Sequence, residues 1–254
     1  MSFRDLHYTD ELLLLPNAWD VPSALAFYEA GYRGIGTTSF GVAASVGHPD
    51  GGRSSKEPTS RLVRQLRTLP AYVSADIEDG YDDDPDVVAE FVAGLGAAGI
   101  NIEDSTNEKL ISPSAHAAKV AAIKQRSPEV FVNARVDTYW LGQDATVSAT
   151  LKRAEAYVEA GADGIFVPGA SDPSDLLQLT GNIPIPVNVL VVPQLSLAQL
   201  ADLGVRRVST GSLPYRAAID AAVDVAQKIR SGSPPPTATA YPEMQRRLVD
   251  FSAR

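Results

Sequence analysis

The chain has 254 residues, of which 44% are hydrophobic, and its formal net charge at pH 7 is −9. This length and composition are typical of a soluble globular protein with one large core or two modest ones. An acidic chain repels phosphate backbones and anionic membranes, and no arginine-rich run with interleaved aromatic residues opposes that field. We therefore expect neither nucleic acid nor a membrane as a partner.

The chain contains no cysteine. This excludes disulfides, a thiolate nucleophile and cysteine-ligated metal clusters. The first residues do not include an apolar run of signal-peptide length, and no stretch reaches the roughly 20 apolar residues that cross a bilayer. A cytoplasmic location is the expectation that follows.

Short apolar runs alternate with amphipathic segments, which is typical of repeated βα units and a parallel sheet. Strands are predicted at residues 12–15, 34–37, 71–75, 99–102, 130–133, 164–167, 187–191 and 207–209. Helices are predicted at residues 20–31, 57–68, 84–97, 113–127, 145–161, 172–180, 196–203 and 213–230. Eight such units predict a (β/α)₈ TIM barrel of the α/β class. The alternative is a doubly wound open sheet, which is disfavoured because no G-x-G-x-x-G run follows the first strand.

The barrel is expected to span residues 1–230, and residues 231–254 form a separate tail. The tail begins with a proline-rich linker and continues with a helical pattern around Pro242 to Phe251. It is too short to be a domain. Its apolar face packs either on its own barrel or on a partner subunit, and the sequence leaves both open.

Two predicted strands run directly into carboxylates, and they lie one βα unit apart. Asp76 and Glu78 follow the strand that begins near Val73, and Glu103 ends the strand that begins at Gly99. Alternate side chains of a strand share a face, so Asp76 and Glu78 point together. With Glu103 they predict a site for Mg²⁺, or Mn²⁺, reached directly or through water. The alternative is three unrelated solvated acids at loop starts.

Six segments, each at a predicted strand end, resemble the isocitrate lyase and phosphoenolpyruvate mutase superfamily. They are Leu15–Asp20, Thr37–Asp50, Ser74–Tyr81, Asn101–Asp104, Asn133–Asp137 and Gly164–Pro168. The resemblance covers nearly the whole chain. It implies a TIM barrel, Mg²⁺ dependence, and homodimers or homotetramers in which the last barrel helix is exchanged between subunits.

The resemblance also implies roles for particular side chains. Asp76 corresponds to the principal metal carboxylate, with Glu78 and Glu103 holding the ion largely through water; Glu78 stands where many relatives have aspartate. Arg135 corresponds to the arginine that grips the substrate carboxylate, which a planar guanidinium does bidentately. A structural ion pair between Arg135 and Asp137 is the alternative.

Further substrate-binding groups are expected at the second and seventh strands. Thr38 falls where the family has serine, and the backbone amides of Ser39 and Phe40 could hold a carboxylate or a developing enolate oxygen. Asn188 could bind a second carboxylate. No acidic residue follows Asn188, which suggests a smaller or less charged distal pocket.

The loop residues decide the chemistry that the resemblance implies. Asp50 matches an active-site aspartate of the family, and Lys109 matches a loop lysine. Ile111 occupies the position of the catalytic cysteine of isocitrate and methylisocitrate lyases, so lyase activity by that mechanism is not expected. The Lys-x-Asn-Ser continuation of the phosphorus-handling relatives is missing after Lys109. Of the histidines, only His48, beside Asp50, is placed to act as a base.

Three functions remain open. The first is an Mg²⁺-dependent lyase or decarboxylase that cleaves a carbon–carbon bond of a small α-keto or 2-hydroxy diacid and forms an enolpyruvate-type intermediate. The second is phosphoenolpyruvate phosphomutase or phosphonopyruvate hydrolase activity, supported by Asp50 and Lys109. The third is a non-catalytic binder of α-keto acids.

Overall fold

Nine short strands form one parallel sheet in the computed structural model, which describes residues 1–253. They are β1 (Leu13–Leu15), β2 (Asn17–Ala18), β3 (Gly34–Thr37), β4 (Tyr72–Asp76), β5 (Gly99–Glu103), β8 (Phe131–Arg135), β9 (Gly164–Phe166), β10 (Val187–Leu190) and β11 (Arg207–Ser209). A separate antiparallel hairpin consists of β6 (Ser105–Thr106) and β7 (Lys109–Leu110).

The sheet closes on itself through its first strand. β1 pairs with β11 and β2 pairs with β3, all in parallel register. Only Pro16 separates β1 from β2, and proline has no N–H to donate to a ladder. The two pieces therefore act as one interrupted strand, and the predicted eight-stranded TIM barrel is confirmed.

Eleven α-helices surround or cap the barrel in the described residues. They are α1 (Val21–Glu29), α2 (Ser39–Ser45), α3 (Lys56–Leu66), α4 (Pro85–Leu95), α5 (Pro113–Arg126), α6 (Thr138–Leu141), α7 (Val147–Glu159), α8 (Pro173–Asn182), α9 (Leu197–Asp202), α10 (Leu213–Arg230) and α11 (Tyr241–Ser252). Three begin with an acceptor side chain followed by proline: Asp84, Ser112 and Asp172 each accept a bond from the first turn.

The sequence did not predict three short elements, α2, α6 and the β6–β7 hairpin. All three lie in loops at the carboxyl ends of strands. Thr38 caps α2 by accepting a hydrogen bond from the Gly41 N–H. In the hairpin, Asn107 and Glu108 both have positive φ, 52° and 59°, as a tight turn between antiparallel strands requires. All three elements are too short to show a periodic hydrophobic pattern in the sequence.

The amino-terminal segment plugs the other end of the barrel. Phe3 and Leu6 pack with Leu15 and Phe131 in a cluster separate from the main core. A side chain at Gly99 would place its Cβ 2.6 Å from the Phe3 ring, so this strand start must be glycine. Because the plug closes the amino-terminal end, the interior of the barrel opens at the carboxyl ends of the strands.

The last two helices pack differently. No residue of α10 is buried, and its apolar Ile219 and Val223 are each 50% exposed. Leu248 and Phe251 of α11 contact the main core, and Arg247 forms a salt bridge with Glu29 of α1 at 2.7 Å. The tail therefore contacts its own barrel, whereas exchange of α10 stays a prediction. Within residues 1–253, no helix is both long and apolar enough to cross a membrane.

Candidate active site

Asp76 and Glu78 are held in place by the loop that follows β3. Asp76 ends β4, and its Oδ2 accepts a hydrogen bond from the Ser39 N–H at 3.0 Å. Glu78 has a φ of 48°, which turns the chain sharply and is uncommon outside glycine. Its carboxylate accepts bonds from the Arg53 N–H at 2.8 Å and from the Ser55 hydroxyl at 2.5 Å. Two neighbouring βα loops are thereby joined.

Glu103 ends β5 and faces Arg135 at the end of β8. Arg135 Nη1 lies 3.0 Å from Glu103 Oε2. Burial raises the pKa of Glu103 well above its usual range, Arg135 opposes that rise, and the charges of Asp137, Asp76 and Glu78 add to it. Asp76, Glu78 and Glu103 are therefore close enough to interact electrostatically at one rim of the barrel.

These three carboxylates form an open cradle. Among the described residues, no group of three Asp, Glu or His side chains is close enough to coordinate an ion by itself. Burial also raises the pKa of Glu78, and that of Asp50, where the charge of Asp76 adds to the effect. Burial is the main cause of these pKa shifts, and the neighbouring carboxylates add to it. Buried carboxylate oxygens are hard donors, and they fit Mg²⁺ or Mn²⁺ with water completing the coordination.

Arg135 forms the structural ion pair and also faces the open space of the barrel mouth. Its Nε donates to Asp137 Oδ1 at 2.5 Å, so the structural ion pair is present. The guanidinium also lies over the Trp140 and Phe166 rings, 5.6 and 5.9 Å from their centroids. It nevertheless lines the open space of the barrel mouth. Asp137 and the two rings hold its planar face in a defined orientation.

Two adjoining cavities open at this mouth. The larger has a volume of about 600 Å³ and contains Glu78 and Glu103 in its wall. The smaller, about 280 Å³, contains Asp76. Four residues border both cavities: Ser39, Asp50, Arg135 and Trp140. The predicted cation cradle therefore lies along the boundary between the two spaces.

The structure brings most predicted substrate-site residues to this boundary. Thr38, Ser39 and Phe40 line the smaller cavity, and Ser39 Oγ lies 3.4 Å from Asp50 Oδ1. Three other predicted residues lie elsewhere. His48 and Lys109 are exposed and line neither cavity, and Asn188 is buried against Ser209.

Sequence reasoning missed a polar network inside the barrel, beneath the smaller cavity. Asn101 Oδ1 accepts bonds from Asn133 Nδ2 at 2.9 Å and from Arg207 Nη2 at 3.1 Å. Arg207 Nε donates to Ser209 Oγ at 3.1 Å. Arg207 is fully buried, and its Nη1 has no hydrogen-bond partner among the described residues. The only sequence feature that could have indicated this network was the charged Arg207 within the strand predicted at residues 207–209.

The network determines the orientation of the Asn101 side chain. Two donors hold its carbonyl oxygen, so its amide N–H₂ must point the other way. Asn101 forms part of the smaller cavity's wall, next to Asp76 in the strand register. A hydrogen-bond donor is thus presented to the cavity beside the predicted metal carboxylate.

Comparison with known proteins agrees with this fold. The family model described as phosphoenolpyruvate phosphomutase matches residues 3–230. The chain therefore belongs to the phosphoenolpyruvate mutase family, within the isocitrate lyase superfamily of lyases and phosphomutases.

Individual relatives are similar over most of their length. An uncharacterized protein of Mycobacterium tuberculosis is 58% identical over 254 residues, which cover all of this chain and 98% of that one. An oxaloacetate decarboxylase of Pseudomonas fluorescens is 31% identical over 243 residues, 88% of this chain and 82% of the relative. The crystal structure of a phosphonopyruvate hydrolase complexed with oxalate and Mg²⁺ has a TM-score of 0.85 and 26% identity, and covers 100% of this chain and 99% of that one.

Proposed function

We propose that this protein is an Mg²⁺-dependent enzyme that cleaves a carbon–carbon bond of a small α-keto or 2-hydroxy diacid. Decarboxylation of an α-keto diacid forms an enolpyruvate-type intermediate, whereas retro-aldol cleavage of a 2-hydroxy diacid forms a keto acid and leaves the electron pair of the broken bond on the departing acid. The observation that carries the proposal is the rim formed by Asp76, Glu78 and Glu103, with Arg135 facing it. The similarity to an oxaloacetate decarboxylase over 88% of the chain supports it.

Arg135 binds and orients the carboxylate next to the reacting carbonyl. Its orientation is set by Asp137, so little conformational freedom is lost when the substrate binds. Asp76, Glu78 and Glu103 would hold the cation, partly through water, and the bound ion would supply Lewis-acid polarisation of the substrate carbonyl. The Asn101 amide donates to the oxygen on which negative charge develops, and the backbone N–H of Phe40 is a second donor on the same cavity wall.

Asp50 is the group we propose for proton transfer. It borders both cavities, and its raised pKa brings it closer to neutrality than an ordinary aspartate. When an α-keto diacid loses CO₂, the electron pair of the broken bond remains on the keto fragment as an enolate, and the proton from Asp50 converts that carbon to a methyl or methylene group. When a 2-hydroxy diacid is cleaved, ionised Asp50 accepts the hydroxyl proton, the hydroxyl carbon becomes the new carbonyl, and the electron pair goes to the departing acid, whose carbon then takes up a proton. No thiol is needed, in agreement with the absence of cysteine.

Cleavage of a carbon–phosphorus bond is the second candidate. It is supported by Asp50 and by the similarity to a phosphonopyruvate hydrolase along the whole chain. Lys109 does not support it, because this residue is exposed and lies outside both cavities.

A panel of oxaloacetate, alkylmalates and phosphonopyruvate, each with Mg²⁺ and with a chelator, tests the proposal. Keto-acid release from either of the first two, dependent on Mg²⁺, supports carbon–carbon cleavage. Pyruvate and phosphate from phosphonopyruvate instead favour the hydrolase. Binding of oxalate without turnover of any member of the panel leaves only a keto-acid binder.

A further inference from the structure

The two cavities differ sharply in charge. The larger is bordered by seven carboxylates, Asp50, Glu78, Asp79, Asp83, Glu103, Glu108 and Asp137, and by two guanidiniums. One of these, Arg53, is already paired with Asp79 at 2.7 Å. An anionic substrate cannot extend in that direction without strong repulsion. The larger cavity is suited to hydrated cations.

The smaller cavity has balanced charge and an apolar wall. Its charged groups are two carboxylates, Asp50 and Asp76, and two guanidiniums, Arg135 and Arg216. Arg216 is exposed and has no ion-pair partner in the described part of the chain. Six of the apolar side chains on the wall are Phe40, Trp140, Phe166, Pro168, Leu190 and Val191. An acid carrying a hydrocarbon group fits this space better than the larger one.

The order of strands places this wall near Arg135 and across the barrel mouth from Asp76. Asp76, Asn101 and Arg135 lie on the adjacent strands β4, β5 and β8. Leu190 ends β10 and Val191 follows it; β10 lies opposite β4 in the closed sheet, and only β9 separates it from β8. A substrate held by Arg135 with its reacting end toward Asp76 therefore has room to place a hydrocarbon group against this wall.

We propose that the preferred substrate carries an alkyl substituent that packs in the smaller cavity against Leu190 and Val191. This inference rests on the proposed function, and it narrows the substrate from small diacids in general to alkyl-substituted ones. Each methylene moved from water into such a wall strengthens binding about fourfold. An unsubstituted four-carbon acid has no alkyl group to pack against this wall and gains nothing from it.

Binding of a homologous series measures this directly and does not require turnover. Titration calorimetry with Mg²⁺ present is carried out for oxalate, pyruvate, 2-oxobutyrate and 2-oxopentanoate. We expect the dissociation constant to fall about fourfold for each methylene added to pyruvate. In turnover assays, 3-methyl- and 3-ethyl-oxaloacetate should exceed oxaloacetate in kcat/KM by similar factors.

Two variants localise the effect. In Leu190→Asn the gain with chain length should disappear, and Val191→Asn, at a side chain that is 38% exposed, repeats the test if the first variant does not fold. Leu177→Asn is the matched control, because Leu177 is 57% exposed on α8 and lines neither cavity. The control should keep the full dependence on chain length.

The outcomes separate this inference from the function on which it rests. If no keto acid or oxalate binds, the proposed function fails. If oxalate binds and oxaloacetate is turned over, but added methylenes leave binding unchanged or weaken it, only the alkyl preference is overturned. A chain-length dependence that survives in Leu190→Asn and Val191→Asn also overturns it.

Discussion

Replacing Arg207 with methionine should stabilise the protein and slow its reaction. Burial lowers the pKa of Arg207 to about 9. One pKa unit corresponds to about 1.4 kcal/mol, so keeping this guanidinium charged inside the barrel costs roughly 5 kcal/mol. Its two hydrogen bonds, to Asn101 and Ser209, offset this by about 1.5–3 kcal/mol each.

The substitution removes the buried charge and leaves few polar atoms unpaired. Asn101 keeps its bond from Asn133, and Ser209 keeps its bonds with Asn188. Methionine also places its terminal methyl group where the guanidinium was, and this added apolar burial contributes about 1 kcal/mol. We expect the free energy of unfolding to rise by about 1–3 kcal/mol, as often occurs when hydrophobic residues replace buried charges. Tm should rise by several degrees.

Activity should move in the opposite direction. Without Arg207, a single donor holds the Asn101 carbonyl, and its amide can turn away from the cavity. Loss of one positioned donor to a developing oxyanion lowers kcat by about 10²–10³, so partial misorientation should lower it by about tenfold or more. If Arg207 acts through Asn101, adding Arg207→Met to Asn101→Ala should lower kcat little further.

The assay combines urea unfolding, followed by circular dichroism, with steady-state kinetics on the best substrate of the panel. Additive losses in the double variant would show that Arg207 does not act through Asn101. A fall in Tm of several degrees would refute the electrostatic part of the reasoning. Full activity in Arg207→Met would refute the positioning role.

Three further predictions concern the metal, a buried histidine and the last barrel helix. Asp76→Asn should lower Mg²⁺-dependent activity by at least about 10²-fold and abolish Mg²⁺ binding in calorimetry. Its circular dichroism spectrum should stay unchanged. Unchanged turnover in this variant would show that Asp76 is not a metal ligand. Burial lowers the pKa of His116 from 6.5 to about 3. Between these two pH values the unfolded chain therefore binds one more proton than the folded chain. The folded state loses stability as the pH falls from about 6.5 to 3. Urea unfolding measures how the free energy of unfolding falls between about pH 6 and pH 4. In His116→Leu this fall should be smaller by about 1.4 kcal/mol per pH unit than in the unchanged protein. An identical pH dependence in the two proteins contradicts the lowered pKa of His116. Ile219 lies on the exposed face of α10, and Ile219→Glu should reduce the mass measured by light scattering to that of one chain. Val87 is also on an exposed helical face, and Val87→Glu should leave the mass unchanged. Equal masses for the two variants argue against exchange of α10 between subunits.

Local sequence patterns were enough to predict most of the fold. Strand limits predicted from apolar runs lie within one or two residues of those observed, because a buried parallel strand needs a continuous apolar run between turns. Proline after Asp84, Ser112 and Asp172 marked three helix starts correctly, because capping depends only on neighbouring residues. The exposure of His48 and Lys109 could not be predicted, because loop paths depend on contacts between distant segments.

The sequence alone determined that carboxylates end neighbouring strands, and the two-residue period of a strand then directed Asp76 and Glu103 to the barrel mouth. Only the tertiary structure decided how these groups are partnered. Arg207 and Asn101 are 106 positions apart, and they meet because the sheet closes on itself. Closure also brings the apolar wall after β10 across the mouth from Asp76. Such contacts arise from three-dimensional geometry, which no local period in the chain encodes.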